Sequence, residues 1–183
     1  MLDDNPKIAA KMLDDVRVVK MITESAQMLS TAHRILDGRK ILVHTTSRNR
    51  THWELPEPFE SNLYKVAYRN HPCNIWIRET TDNYQWLFDH FVALAQEYTL
   101  RYGKKHKSSG LIRFLLRYPL NIMDGPLTFP ALAMPEEYKS SNFVESYRSY
   151  FNGEKLFPKK RPASWKNNEI PSWVDTQKLT RLV

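Results

Sequence analysis

One stretch, HPCNIWIRETTDNYQWLFDHFVALAQEYTLRYGKKHKS at 71–108, constrains the fold more than any other. Thr80, Thr81 and Asp82 offer side-chain oxygens to the free backbone N–H groups of a helix start. Tyr84, Leu87, Phe88, Phe91, Leu94, Ala95, Tyr98 and Tyr102 then recur at steps of three and four, which makes one apolar stripe. Gly103 ends the helix, because glycine accepts the left-handed conformation that follows a helix C-terminus. Such a stripe needs a partner surface, which the rest of the chain must supply. A second stripe, Asn83, Trp86, His90, Glu97 and Arg101, falls near one face of the same helix, and Lys104, Lys105, His106 and Lys107 follow it. These residues read either as the lining of a groove or as polar groups packed between helices.

Before this stretch, Asn5-Pro6 predicts a capped helix start, and a helix is expected from there to about Leu36. Ile8, Met12, Val16, Val19, Thr23, Ala26, Ser30 and His33 trace its expected inner face, widened by Leu13, Ile22 and Leu29. Arg17, Lys20, Glu24, Gln27, Thr31 and Arg34 run beside it, and Asp37-Gly38 closes it. Residues 39–61 have basic loop character with a short strand at Ile41–Val43, and 62–68 form a short helix or extended piece. Proline disfavours helix at His71, and a helical turn is expected at Ile75–Arg78. After 108, a short helix at Gly110–Tyr118, an ordered wrap over 119–135 and a helix at Glu136–Phe151 follow. The expected organisation is a helical core at 1–151 with a basic, Trp-containing extension at 152–183 packed on it. The fold class is mainly α: a single compact helical domain with long ordered loops and little or no sheet.

The balance of charge narrows the partners. Lys and Arg number 27 against 20 Asp and Glu, a net charge of +7. This favours a polyanion, nucleic acid first and an acidic host protein or a membrane surface second, although the same charge also serves solubility. Cys73 is the single cysteine, so an internal disulfide and a Cys-rich zinc site are excluded. No apolar run is long enough to span a membrane, and MLDDNPK lacks the basic start and apolar core of a signal peptide, so a soluble, cytoplasmic protein is expected. Nothing in the pattern specifies an oligomeric state.

Three sets of residues carry candidate chemistry. Glu24, with Lys20 one turn and Arg17 two turns before it, is a carboxylate among cations that can act as a base or stabilise a cationic intermediate. The same spacing is also an ordinary surface charge pattern. His71, His90 and His106 with Glu97 form the second set. His90 and Glu97 lie about 10 Å apart along a helix, and neither H-E-x-x-H nor a Cys-His cluster occurs, so no metal is expected. The third set is the basic stretches with interleaved aromatics, RNRTHW at 48–53 (with Arg48 and Arg50), RYGKKHK at 101–107 and KKRPASWK at 159–166, whose cations suit phosphates and whose rings suit bases. No Walker loop, GxGxxG or serine-hydrolase elbow is present, so no nucleotide cofactor is expected.

The pattern P-x-x-A-A-x-x-x-x-D-x-x-V-V-K-M-I-x-E-x-x-Q-M-L at Pro6–Leu29, with H-P-x-x-x-W-x-R, Y-x-W-L and E-Y-T-x-R-Y-G-K-x-H-K-S after it, resembles a family of small phage and bacterial proteins. M-P-E-E-Y-K…S-Y-R-x-Y-F…E-K at 134–155 resembles the C-terminal signature of that family. The family in turn is distantly similar to the pyrimidine-dimer DNA glycosylases of the phage endonuclease V type. That resemblance implies a small, basic, helical enzyme that flips nucleotides out of duplex DNA, with the N-terminal α-amine forming a Schiff base at C1′ and a glutamate assisting. In the pattern D-x-H-x-x-x-x-x-x-E, Asp15, Arg17 and Glu24 take the marked positions, with arginine in place of histidine. Glu97, Arg101 and Gly103 resemble the family's later helix end. Leucine follows Met1, so the free amine is expected to be that of Met1, on a chain end a few residues too short to lie beside Glu24.

The leading expectation is therefore a phage-type DNA-acting protein, glycosylase- or lyase-like on damaged or modified bases. Glu24, Met1, Arg17 and His90 are its candidate catalytic residues. Lys20, Arg48, Arg50, His71, Trp86, Arg101, Lys104, Lys105 and Lys107 are its candidate nucleic-acid contacts, with no cofactor and no metal. A non-catalytic binder of nucleic acid or of an acidic host protein, and a phage base-modification enzyme, are the alternatives.

Overall fold

The computed structural model describes residues 1–44, 49–157 and 161–180. Asn5 caps α1 (Pro6–Lys11) by accepting from the Lys7 and Ile8 N–H groups, and Pro6 fills the first turn, where its missing N–H costs nothing. The helix does not run on to Leu36. The chain leaves helical geometry after Met12, Asp14 is extended (φ −67°, ψ 165°), and a second helix, α2 (Asp15–Asp37), begins. The break changes the phase of the buried face. Val18, Ile22, Ala26, Leu29 and His33 are buried, whereas Ile8, Val16 and Val19, expected to face inward, are 43, 36 and 38% exposed. A single helical period drawn through 8–33 mixes two helices with separate axes.

Residues 50–54, expected to be loop beyond the strand at 41–43, form a second strand. β1 (Arg39–Val43) pairs antiparallel with β2 (Arg50–Glu54), Arg39 opposite Glu54 and Val43 opposite Arg50. One buried side chain on α2 anchors the end of this hairpin and the segment after it. The Arg34 guanidinium donates to the carbonyls of Trp53, Glu60, Leu63 and Tyr64 and to the Glu60 carboxylate. α3 (Phe59–Asn62) sits just before the short helix or extended piece expected at 62–68, where Leu63 is extended and Tyr68 is left-handed. α4 (Pro72–Trp76) starts on Pro72 with His71 as its cap, its Nδ1 accepting from Cys73 N–H at 3.2 Å.

The long central helix, α5 (Thr81–Tyr102), matches its expected limits. The Thr80 side chain accepts from Asn83 N–H, and Gly103 is left-handed (φ 67°). α5 packs against α1 and α2, and both of its stripes are buried. The apolar one forms the centre of the core, with Tyr84, Phe91 and Leu94 fully enclosed. The polar one lies under α1 and the C-terminal segment: Trp86 Nε1 donates to Asp4 O at 2.7 Å and Arg101 to Lys11 O and Leu13 O at 3.0 and 2.9 Å. Arg101 thereby satisfies the carbonyls that the early end of α1 leaves without helical partners.

After α5, a 3₁₀ turn (Lys107–Leu111) leads into α6 (Ile112–Leu115), and residues 119–135 form an ordered wrap. Asp37 accepts from the Leu120 and Asn121 N–H groups, and Asn83 Oδ1 accepts from Thr128 N–H. The helix expected at 136–151 is divided. A 3₁₀ turn (Glu136–Tyr138) precedes α7 (Phe143–Tyr150), which Asn142 caps, and a wider helical turn (Phe151–Lys155) follows. The C-terminal segment binds the junction of α1 and α2: Trp165 Nε1 donates to Met12 O at 2.9 Å and Ser164 Oγ to Asp15 Oδ2 at 2.7 Å. It ends in α8 (Thr176–Thr180). The fold is mainly α, with one two-stranded sheet among the described residues.

Candidate active site

Three adjoining cavities have walls on α2. The first, of about 320 Å³, is walled by Lys20, Met21, Glu24, Gln27 and Met28 of α2 and by Ala67, Tyr68, His71, Cys73 and Asn74. The second, of about 140 Å³, shares Met21, Met28 and Cys73 with it and adds Met1, Trp76, Trp86, His90, Ala131 and Tyr147 among its walls. The third, of about 200 Å³, shares Met1, Met21, His90 and Tyr147 with the second and adds Arg17, Tyr150, Phe151 and Lys155. All three share Met21, so they adjoin one another around it. Met21, Glu24 and Met28 reach the first because steps of three and four share a helix face.

Met1 is one of four residues common to the second and third cavities, with Met21, His90 and Tyr147. Burial in this apolar surround pushes its α-amine down from 8.0 to about 5, with Cys73 acting weakly in the other direction. An amine with that value is neutral at pH 7 and carries a free lone pair. His90 faces the same space. Its ring stacks on Trp86 at 5.2 Å, its Nδ1 is buried with no hydrogen-bond partner among the described residues, and burial, then the nearby amine, pushes it down to about 3. The imidazole is therefore neutral and does not compete for charge with the amine.

Arg17 is held in place at the far wall. Its Nη1 donates to Asp14 Oδ1 at 2.8 Å and its guanidinium lies 4.7 Å over the Phe151 ring. Glu24, one cavity away, is paired with Lys20 at 3.2 Å and keeps a side-chain exposure of 37%. Met1 and Glu24 thus border adjoining cavities and not the same one.

The other candidate contacts divide in two. His71 and Lys20 border the Glu24 cavity, and Trp86 is buried in the wall of the second. Arg50 is exposed on β2, away from these walls, and Arg48 lies outside the described residues. Lys104, Lys105 and Lys107 are exposed past the end of α5. Lys105 borders a separate depression of about 600 Å³ with Gln96, Thr99 and Ile112, which none of the site residues touches. Arg101 cannot face a phosphate. It is 2% exposed, and its guanidinium binds Glu97, Asp15 and two carbonyls inside the protein. The same packing makes Glu97 and Asp15 structural: Glu97 accepts from Asn168, and Asp15 from Ser164 and the Lys166 N–H.

Several site residues were not singled out in the sequence. Met21 and Met28 flank Glu24 at helical spacing, a signal that would have found them. Cys73, Tyr147 and Lys155 carry no such signal, because only tertiary packing brings them to Met1. Among the described residues, no group of three or more His, Cys, Asp or Glu side chains could hold a metal ion, and no helix is long and apolar enough to cross a membrane.

Residues 2–109 match the family model for pyrimidine dimer DNA glycosylases. The chain belongs to that family, to which its motifs point as a distant similarity. The match takes in α1, α2, the hairpin and α5, and leaves out the 134–155 signature and Tyr147, Tyr150, Phe151 and Lys155 of the cavity wall. No curated protein and no solved structure matches the chain.

Proposed function

We propose that this protein is a DNA glycosylase with lyase activity, acting on a damaged or modified base in duplex DNA through the α-amine of Met1. The neutral amine attacks C1′ of the target nucleotide. The C1′–N bond breaks, and the base leaves with the bonding pair and a proton originating from the amine. The C1′–O4′ bond then opens, O4′ takes up a proton, and a protonated imine joins Met1 to the sugar. Glu24, across the shared wall of Met21, Met28 and Cys73, stabilises the cationic centre and accepts the C2′ proton if strand cleavage follows.

The observation that carries this reading is the burial of the Met1 amine beside His90 and Cys73, which leaves it unprotonated at neutral pH. Family membership and the +7 charge support DNA as the partner. The experiment is borohydride trapping on duplex carrying a cyclobutane dimer or an abasic site. A covalent adduct whose digestion places the sugar on the Met1 amine is the expected result. Absence of an adduct on every lesion tested would remove the enzymatic reading.

A non-catalytic nucleic-acid binder is the second reading, favoured by the Lys20–Glu24 ion pair, which occupies the carboxylate. It requires salt-dependent binding with no adduct.

A further inference from the structure

Tyr68 stands at the mouth of the Glu24 cavity with 77% of its surface exposed, and its backbone is left-handed (φ 48°). That conformation is disfavoured for any residue with a Cβ, and bulky aromatics meet it seldom. It persists where the surroundings over-determine it, and here they do. Thr31 on α2 and Asn74 on α4 are both fully buried and both spend their side chains on Ala67, the preceding residue. Thr31 Oγ1 accepts from Ala67 N–H at 3.1 Å and donates to Ala67 O at 3.3 Å, and Asn74 Nδ2 donates to the same carbonyl at 2.9 Å. Arg78 donates to Arg69 O at 2.8 Å, and His71 N–H closes the turn on Tyr68 O at 2.9 Å.

Two helices therefore commit buried polar groups to a turn that adds nothing to the core. What the turn presents is a bare phenol ring. Cations accompany it: Lys20 lines the same cavity, and Arg69, the next residue, has its guanidinium 5.3 Å over the Trp53 ring of the hairpin. Lys40 pairs with Trp53 across that hairpin and is also exposed.

We propose that Tyr68 is a wedge: its ring enters the base stack of duplex DNA and fills the space left by the nucleotide turned toward Glu24 and Met1. The proposal rests on the glycosylase reading for the identity of the extruded nucleotide. A rigid aromatic face restores the stacking that the extruded base gives up, and a fixed backbone spares the cost of ordering the ring on binding. Lys20, Arg69 and Lys40 hold the phosphates on either side.

The test uses the whole chain and a duplex with 2-aminopurine beside an abasic site, whose fluorescence rises when the base unstacks. Wild type and Tyr68→Phe are expected to raise it several-fold. Tyr68→Gly, which relieves the left-handed strain, is expected to melt no lower and to bind more weakly by the stacking it loses, and at saturating protein to raise fluorescence little. Wild-type binding without a fluorescence rise, or an undiminished rise in Tyr68→Gly, overturns the wedge. Borohydride trapping on the same duplex reports the chemistry separately. An adduct without unstacking defeats the wedge alone, unstacking without an adduct defeats the enzymatic reading alone, and no DNA binding defeats both.

Discussion

Arg101 Nη1 lies 3.1 Å from Asp15 Oδ1, joining the last turn of α5 to the first turn of α2 across the break after α1. The same guanidinium reaches Glu97 and the carbonyls of Lys11 and Leu13, so a residue that sequence spacing placed toward DNA is the internal knot of the fold. Removing it takes the buried cation from two carboxylates and a donor from two carbonyls. Arg101→Ala is predicted to cost about 3–5 kcal/mol of folding stability, read as a shift of the urea midpoint. A stability change under 1 kcal/mol, about the value of an exposed pair, would contradict this placement.

The Met1 amine sets the pH dependence of the proposed chemistry. It attacks only when neutral, and its value of about 5 means the neutral form dominates above that pH. The rate of adduct formation on an abasic duplex should hold constant from pH 8 down to about 6 and fall as the pH drops through 5. A rate that already falls tenfold per unit below pH 8 would indicate an ordinary solvated amine.

His33 and His90 give the fold a stability that acid erodes. Burial pushes them down to about 4 and about 3. Above pH 6.5 both are neutral whether folded or unfolded and contribute no pH dependence. Below it the unfolded chain binds protons that the folded chain refuses, so stability falls as the pH drops from 6.5 toward about 4 for His33 and about 3 for His90. Each group contributes a slope of about 1.4 kcal/mol per pH unit in that window. Denaturation at pH 7.5 and 5 should show this loss, and His90→Gln should flatten it.

Glu24 separates chemistry from binding. Glu24→Gln keeps the shape of the cavity wall and releases Lys20, so DNA affinity should hold or rise slightly. The single-turnover rate should drop roughly a hundredfold or more, the range for a lost acid–base group. Equal rates in the two proteins would remove Glu24 from the mechanism and leave it as a surface ion pair.

Helix α5, its Thr80 cap and its Gly103 end were legible because they depend on local rules: a side-chain oxygen at a helix start, a 3.6-residue period, a residue free to turn left-handed. Glu24 with Lys20 was legible for the same reason, as one turn of α2. The break at Met12–Asp14 was not. Its cause is Arg101, 86 residues from Asp15 in sequence, and no local window contains both. The strand at 50–54 was hidden likewise, since its anchor is Arg34 on α2.

The sequence by itself thus determined the long helix, the mainly α class, the basic charge and the family. Tertiary structure alone decided which polar face is buried, because burial depends on what packs against a helix and not on its period. It also decided that the Met1 amine lies in an apolar cavity with His90, Cys73 and Tyr147, and that Tyr68 is held exposed in a strained turn. Both outcomes follow from contacts between segments far apart in the chain, where desolvation and buried hydrogen bonds override local preference.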